Sequence, residues 1–199
     1  QLPVLAVYAL VLLLMVGFGL LFNRIAYHPL RDRGWMPVVI STIGVSIFLR
    51  NAAQLIWGSQ PIVMPSLFSV DTIFLGPLRI RPQDILILAV TALLIAFQFY
   101  LFERTTLGKQ MRATAQDRAT ARLVGIRVGR IVTITFVYSA VLGAVSGLLV
   151  APLFTVTKEM GALIALKAFA ASIVGGFGSI PGAIIGGLTI GVIETFGGF

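Results

Sequence analysis

Acid–base or nucleophilic catalysis needs side chains that can act together, and this chain offers few. It has no cysteine and a single histidine, His28, which lies in a basic loop, whereas Ser146 lies in an apolar segment. The sequence contains no H-E-x-x-H motif and no pair of aspartates inside an apolar segment. Thiolate metal sites, disulfides and an intramembrane hydrolase are therefore disfavoured.

The chemistry that remains is the pairing of charges inside apolar segments. Lys167 lies midway along such a segment, where a charge costs about 3 kcal/mol, so it should face a cavity or a partner. Three interpretations stay open. Lys167 pairs with Glu194 and braces the helices, it holds a carboxylate in a transport pathway, or it snorkels from a shallow helix.

Nucleotide chemistry is also disfavoured. The glycine-rich stretch Gly175–Gly182 has the spacing G-x-G-x-x-x-G, which differs from a dinucleotide fingerprint, and no G-x-x-x-x-G-K-[ST] motif occurs. We therefore predict that this chain hydrolyses no ATP. We interpret the stretch Gly175–Gly182, which includes Gly176, Gly178 and Pro181, as a turn that packs backbone closely at the core of the fold.

The elements that carry these residues are apolar enough to lie in a membrane. Hydrophobic residues make up 58% of the chain and charged residues 11%, whereas a soluble domain has about 25% charged residues. A bilayer core needs roughly twenty helical residues, and Leu2–Phe22, Trp35–Trp57, Ile85–Phe102 and Ile131–Phe154 supply them. The predicted fold class is an all-α integral membrane protein, a multi-pass helix bundle of about five or six spanning or re-entrant helices.

The loops between these segments differ sharply in charge. Asn23–Gly34 carries a net charge of +2 and Glu103–Arg130 one of +5, whereas Gly58–Asp84 and Ala151–Met160 are each neutral. Two predicted spans separate the basic loops, so both lie on one side, which the positive-inside rule assigns to the cytoplasm. This distribution indicates lipid rather than nucleic acid as the partner of the net charge of +8.

The neutral loop Gly58–Asp84 should therefore lie outside the cell. Its short runs Ser66–Val70 and Ile73–Leu75 are candidates for a small hairpin around Asp71 and Thr72. The loop is either an ordinary ordered connection or a docking surface for an external partner.

The last apolar region is interrupted. Gly161–Val174 gives a helix of only about 21 Å, which is short for a full crossing, and the glycine-rich stretch follows it. Irregular backbone is tolerated in a membrane only where protein or a water-filled cavity satisfies it. Residues 161–196 therefore form either a re-entrant, broken helix pair or two tight spans.

The basic loop Glu103–Arg130 is predicted to contain one helix over Gly108–Val124, ended by Gly125 as a C-cap. Two stripes lie along this helix, an apolar one formed by Met111, Ala115, Ala119 and Leu123, and a charged one formed by Asp117, Arg118 and Arg122. A helix with small residues at its tip suits a cleft on another protein. The alternative is a basic helix that rests on anionic headgroups.

Several segments of this chain resemble one protein family. The segment Gly108–Arg130, GKQMRATAQDRATARLVGIRVGR, is similar to the cytoplasmic coupling segment of permeases from bacterial branched-chain amino acid ABC importers. The stretch Ala165–Gly187, ALKAFAASIVGGFGSIPGAIIGG, resembles a second signature of that family, and Arg24–Arg31 (RIAYHPLR) and Ser41–Asn51 (STIGVSIFLRN) fit as well. The resemblance covers nearly the whole chain.

The resemblance implies a transport subunit rather than an enzyme. The implied partners are a homologous permease, as a homodimer or heterodimer, two cytoplasmic ATPase subunits, an external solute-binding protein and the bilayer of the bacterial cytoplasmic (inner) membrane. ATP and Mg²⁺ belong to the ATPase subunits, and no cofactor is expected in this chain. The implied ATPase-coupling residues are Gln116, Asp117, Arg118, Ala121, Arg122 and Gly125, and the implied pathway or core residues are Lys167, Gly175, Gly176, Gly178, Pro181 and Glu194.

The general importer pattern Glu-Ala-Ala-x-x-x-Gly is only partly kept, as Ala119-Thr120-Ala121 and Gly125, so that Asp117 is the carboxylate available near its start. Similar permeases also carry urea or short amides, and an ion-coupled secondary transporter or channel is the alternative class. We expect one transmembrane permease domain over residues 1–199, with residues 103–130 as the coupling loop, residues 58–84 as the external loop, and further spans beyond both ends in the longer protein.

Overall fold

The computed structural model describes residues 4–30, 34–64, 73–75 and 78–197. Helices dominate this part of the chain, and a short antiparallel hairpin accompanies them. The helices are α1 (Val4–Phe22), α2 (Trp35–Trp57), α3 (Pro82–Arg104), α4 (Thr106–Gln116), α5 (Arg118–Leu123), α6 (Val128–Val150), α7 (Met160–Gly175) and α8 (Ile180–Gly197). A π-helical turn, Asn23–Tyr27, extends α1.

The predicted all-α, multi-pass fold is confirmed. Five stretches of the described residues are long and apolar enough to cross a membrane: Ala6–Tyr27, Met36–Trp57, Pro82–Arg104, Val128–Val150 and Ile180–Gly197. Apolar side chains cover these helices on nearly every side. In the chain by itself, for example, Leu13 and Phe48 are each about 70% exposed. Lipid favours helices because each satisfies its backbone hydrogen bonds internally.

The predicted boundaries agree best where aromatic residues mark the interface. The prediction for α2, Trp35–Trp57, matches the structure. Helix α3 begins at Pro82 rather than Ile85, because proline suits the first helical turn, where its missing N–H is not needed. Asp84 therefore lies inside the first helical turn, and its carboxylate pairs with Arg81 at 3.1 Å. Helix α6 runs from Val128 to Val150 instead of from Ile131 to Phe154.

The short hairpin lies between α2 and α3. Strand β1 (Ile73–Leu75) pairs with β2 (Leu78–Ile80), with Ile73 opposite Ile80 and Leu75 opposite Leu78. The partner that the sequence suggested for Ile73–Leu75, Ser66–Val70, lies outside the described residues, as do Asp71 and Thr72.

The chain divides into two compact units. The first comprises Gln1–Ala52 and Val63–Thr155, and the second comprises Ala53–Ile62 and Val156–Phe199. In the first unit, α1 packs along α6 through the aromatic rings of Phe18, Phe22, Tyr27 and Phe136, whose successive contacts have centroid distances of 5.3–5.9 Å. Close packing is possible because Gly19 has no side chain; a Cβ there would lie 2.9 Å from Val137 Cα.

In the second unit, the segment after α2 meets the segment after α6. Ile62 and Val156 exchange two backbone hydrogen bonds of 2.9 and 3.1 Å, and Lys158 Nζ donates to Gln54 Oε1 at 2.6 Å. Both segments belong to loops that the charge pattern assigns to the outside. Their pairing agrees with that assignment, since loops that touch at their ends must lie on the same side of the bilayer.

Candidate functional site

The predicted inner loop contains two helices rather than one. Helix α4 ends at Gln116 and α5 begins at Arg118, with Asp117 between them in an extended conformation (φ −151°, ψ 112°). The Asp117 carboxylate accepts hydrogen bonds from the Ala119 N–H at 2.8 Å and the Thr120 hydroxyl at 2.5 Å. Asp117 is thus the N-cap of α5. The prediction of one helix over Gly108–Val124 is wrong because a capping aspartate offers the backbone an alternative to continued helix.

The same hydrogen bonds fix the charge of Asp117. The Thr120 hydroxyl, followed by the backbone N–H groups of Ala119 and Thr120, lowers the pKa of this carboxyl below its usual value, because each bond favours the ionised form. The inner loop therefore carries an ionised carboxylate directly before α5, the helix that contains Arg118 and Arg122.

The helix break also changes which residues face outward. Of the predicted apolar stripe, Met111 is buried, whereas Ala115, Ala119 and Leu123 are exposed. Leu123 is 87% exposed and Val124 is 70% exposed, although the buried Ala121 lies only two residues before Leu123. Sequence reasoning missed this apolar tip because a continuous helix would have placed Leu123 on the same face as Met111.

The predicted C-cap at Gly125 is confirmed. Gly125 has a φ of +83°, a conformation that side chains rarely adopt. The Ile126 N–H donates to the Ala121 carbonyl at 3.0 Å and the Gly125 N–H donates to the Arg122 carbonyl at 3.1 Å, which is the pattern of a Schellman motif. This turn sends the chain back toward α6 and leaves Leu123 and Val124 at the tip.

Helix α4 is anchored firmly to the end of α3. Thr105 caps α4 by accepting from the Gly108 N–H at 3.1 Å, and a Cβ on Gly108 would overlap the backbone of Leu101 and Phe102. Arg112 adds a 2.8 Å ion pair with Glu103 and a 2.7 Å bond to the Phe102 carbonyl. Helix α4 is therefore attached to the end of α3 by a cap, an ion pair and close backbone packing.

Helix α5 reaches back to the extension of α1. Arg118 Nη1 donates to the Tyr27 hydroxyl at 2.8 Å, and its guanidinium carbon lies 5.8 Å from the centre of the Tyr27 ring. The structure thus joins the two basic loops, which agrees with their predicted location on one side. Of the remaining predicted coupling residues, Gln116 and Arg122 are exposed and Ala121 is buried.

The glycine-rich stretch forms the tight turn between α7 and α8. Gly176 and Gly178 have φ values of +90° and +87°, and Pro181 is the second residue of α8. Ser179, which sequence reasoning did not single out, caps α8 by accepting from the Gly182 N–H at 3.1 Å. The turn therefore ends one helix and starts the next within four residues.

The two helices then touch through their backbones. A Cβ on Gly175 would overlap the Gly182 carbonyl, one on Gly182 would overlap the Gly175 carbonyl, and one on Gly186 would overlap the Ala171 carbonyl. Gly175 and Gly182 both belong to the stretch that was predicted to pack backbone closely, whereas Gly186 was missed. The G-x-x-x-G spacing of Gly182 and Gly186 is the signal that finds such a surface, because it places both glycines on one helix face.

Lys167 on α7 forms an ion pair with Glu194 on α8. Both side chains are more than half exposed in the isolated chain, at 57% and 56%. The pairing is the first of the three interpretations of Lys167, and it joins the middle of α7 to the last turn of α8. A role in a transport pathway stays a prediction.

Across the described ranges, no group of three His, Asp or Glu side chains is placed to hold a metal ion. The described residues instead form a braced inner loop with an exposed apolar tip, and a helix pair whose backbones touch at glycines.

Comparison with known proteins adds to this geometry. The whole chain, residues 1–199, matches the family described as "Branched-chain amino acid transport system / permease component". It is 39% identical over 98% of its length to the high-affinity branched-chain amino acid transport system permease protein BraD of Pseudomonas aeruginosa. It is 36% identical over 90% of its length to LivH of Escherichia coli, which carries the same description, and 27% identical over 98% of its length to the ribose import permease protein RbsC of Haemophilus influenzae.

The chain spans 66% of BraD, 60% of LivH and 61% of RbsC. No solved structure matches it.

Proposed function

Since the chain belongs to the family of permease components of branched-chain amino acid transport systems, we propose that it is the membrane-spanning subunit of an ABC importer. Its solute is a branched-chain or related amino acid, the class named for BraD and LivH. It works in the bacterial cytoplasmic membrane beside a second, homologous permease. Two ATPase subunits bind it from the cytoplasm, and an external binding protein delivers the solute.

One observation carries the coupling part of this proposal: the inner loop presents an exposed apolar tip on a rigid base. Leu123 and Val124 are 87% and 70% exposed although they are large and apolar, which marks a surface that a partner covers. The tip lies between the cap at Asp117 and the turn at Gly125. An apolar tip of this shape fits a cleft on a cytoplasmic subunit, with Gln116, Asp117, Arg118 and Arg122 around it as polar contacts.

The contacts of the loop suggest how movement of the ATPases reaches the membrane. A displaced tip pulls α3 through the Arg112–Glu103 pair and the close packing at Gly108. It pulls the end of α1 through the bond from Arg118 to Tyr27, and α1 is packed against α6. ATP and Mg²⁺ bind on the ATPase subunits, and this chain converts their closure into a change of access.

The experiment replaces Leu123 in the full-length protein within its complete importer. Leu123→Glu places a charge at the tip, and we expect co-purification of the ATPase to fall by about tenfold, the equivalent of about 1.4 kcal/mol. ATP-driven uptake should fall with it. Leu123→Met keeps an apolar side chain of similar volume and is the matched control, with both values expected within about twofold of the parent.

If Leu123→Glu leaves both ATPase binding and uptake at the parental level, the tip is not the coupling surface. If uptake by the parent protein in vesicles proceeds on an ion gradient without any ATPase, the importer assignment itself is wrong.

A further inference from the structure

A small polar cavity lies within the first unit, where the extension of α1 meets α5 and the start of α6. Its volume is about 110 Å³, and Tyr27, His28, Arg118, Arg122 and Thr133 are among the residues that line it. None of the described residues that line it is acidic. The cavity therefore combines two permanent positive charges with hydroxyl groups, which is the donor set that phosphate oxygens accept from.

The two arginines lie close enough to repel each other, and a bound anion would remove this repulsion. Arg118 and Arg122 are one helical turn apart on α5, and like charges at that spacing destabilise a helix. Asp117 reduces this repulsion from the position before α5, but its carboxylate accepts hydrogen bonds from Ala119 and Thr120 and does not lie among the residues that line the cavity. An anion between the guanidinium groups would turn this repulsion into attraction.

The surroundings of the cavity orient one of the arginines. Arg118 is held by the Tyr27 hydroxyl at 2.8 Å and by the face of the Tyr27 ring. Because this hydroxyl accepts from Arg118, its own proton is available to a ligand. Behind it, the buried Asn23 donates to Thr133 at 2.8 Å, which fixes α1 to α6 and keeps the cavity wall in place.

The depth of the cavity indicates where the anion comes from. The first apolar span ends at Tyr27, so the cavity lies where that span leaves the hydrocarbon region. Phosphate groups of phospholipids lie at this level, and basic pockets between spanning helices on the cytoplasmic side bind anionic headgroups.

We propose that this cavity binds a phosphate group, supplied by the headgroup of an anionic phospholipid, and that the bound phosphate holds α5 against the end of α1. The site shares Arg118 and Arg122 with the polar surroundings of the apolar tip, but it does not include Leu123 or Val124. Lipid binding can be measured in the absence of any ATPase, so a failure of this proposal is distinguishable from a failure of the transport reaction proposed above.

The test measures binding to the full-length protein in detergent by native mass spectrometry, with phosphatidylglycerol, phosphatidylcholine and inorganic phosphate as separate probes. The test variant is Arg118→Gln/Arg122→Gln. The control is Lys109→Gln/Arg130→Gln, which removes the same charge from the same loop at two exposed positions that do not line the cavity.

We expect phosphatidylglycerol to bind the parent more tightly than phosphatidylcholine, and the test variant to lose about tenfold in affinity for it. The control should lose less than about twofold, as for exposed charges. Tyr27→Phe, which keeps the ring and removes the hydroxyl, should lose about threefold. The elution profile on size exclusion checks that each variant is folded.

A selective loss of inorganic phosphate binding, with no loss for the lipid, would keep the phosphate site but assign it to a soluble ligand. Equal losses in the test and control variants would show attraction by diffuse charge, and unchanged binding in the test variant would show no contact. Each of these three results overturns the proposal, the first because it shows that the phosphate does not come from a lipid headgroup.

Discussion

The helix pairs α1–α6 and α7–α8 are both packed in an apolar environment, but they use opposite kinds of residue at the contact. Between α1 and α6, the rings of Phe22, Tyr27 and Phe136 fill the space. At one point, Gly19 on α1 allows the backbone of α6 to approach closely. Between α7 and α8, the glycines near the turn have no side chains, and carbonyl oxygens lie close to where their Cβ atoms would be. In the first pair, adjustable side chains determine the fit; in the second, rigid backbone does.

This difference predicts how each pair tolerates change. An aromatic ring can shift its rotamer when a neighbour changes, so a contact made of rings absorbs small substitutions. Backbone atoms have no rotamers, so a contact made of glycines must open when a single carbon is added. The α7–α8 pair should therefore behave as a rigid hairpin, whereas the α1–α6 pair has room to adjust at the end that meets α5.

The largest effect should come from a side chain added to the glycine contact. Gly186→Val places carbon atoms on the Ala171 carbonyl, and we expect a loss of roughly 3 kcal/mol in stability, with α7 and α8 separated. The neighbouring Gly187 has nothing within 4 Å of its Cβ position, so Gly187→Val is the matched control. Unfolding of the purified protein in mixed detergent, followed by circular dichroism, measures both. Equal stability of the two variants would show that the helices do not touch at Gly186.

A smaller effect should follow from breaking the Lys167–Glu194 ion pair between the same two helices. Lys167→Met leaves the Glu194 carboxylate without its partner, and Glu194→Gln leaves the ammonium; we expect each to cost about 1 kcal/mol. The double variant should recover most of the loss, because neither charge then remains unpaired.

A transport measurement distinguishes two roles of Lys167, bracing of the helices and binding of a carboxylate in the pathway. If the pair only braces the helices, the double variant should import solute at close to the parental rate. If Lys167 also holds a carboxylate in the pathway, the double variant should be stable but inactive. A double variant that is no more stable than the single ones would contradict the bracing role.

Much of the fold could be predicted from the sequence, because the features that determine the helices are local in the chain. The bracketing tryptophans Trp35 and Trp57 gave the limits of α2, and Gly125 marked the end of α5 correctly. These features act through burial in lipid and through local backbone conformation, and neither depends on distant parts of the chain.

The errors arose where a local cap competes with helix propensity or where distant residues meet. Asp117 could have continued a helix, and its role as a cap depends on the hydroxyl of Thr120 being free to bond to it. The bond from Arg118 to Tyr27 joins residues 91 positions apart, which no periodicity reveals. For the same reason, the sequence indicated the charged cluster of the inner loop but not the cavity that it lines.

The smallest effect should separate polar from aromatic contributions within the α1–α6 pair. The bond from Asn23 to Thr133 is the polar counterpart of the Lys167–Glu194 pair, but it is neutral and Asn23 is buried. A double-mutant cycle with Asn23→Ala and Thr133→Val should give a coupling energy of about 0.6 kcal/mol, as for hydrogen bonds between membrane helices. Phe136→Leu, measured alongside, should cost more, about 1 kcal/mol, because it removes two ring contacts. A coupling energy larger than the cost of Phe136→Leu would mean that the polar bond, rather than the rings, dominates this interface, and that the two helix pairs are less different than their packing indicates.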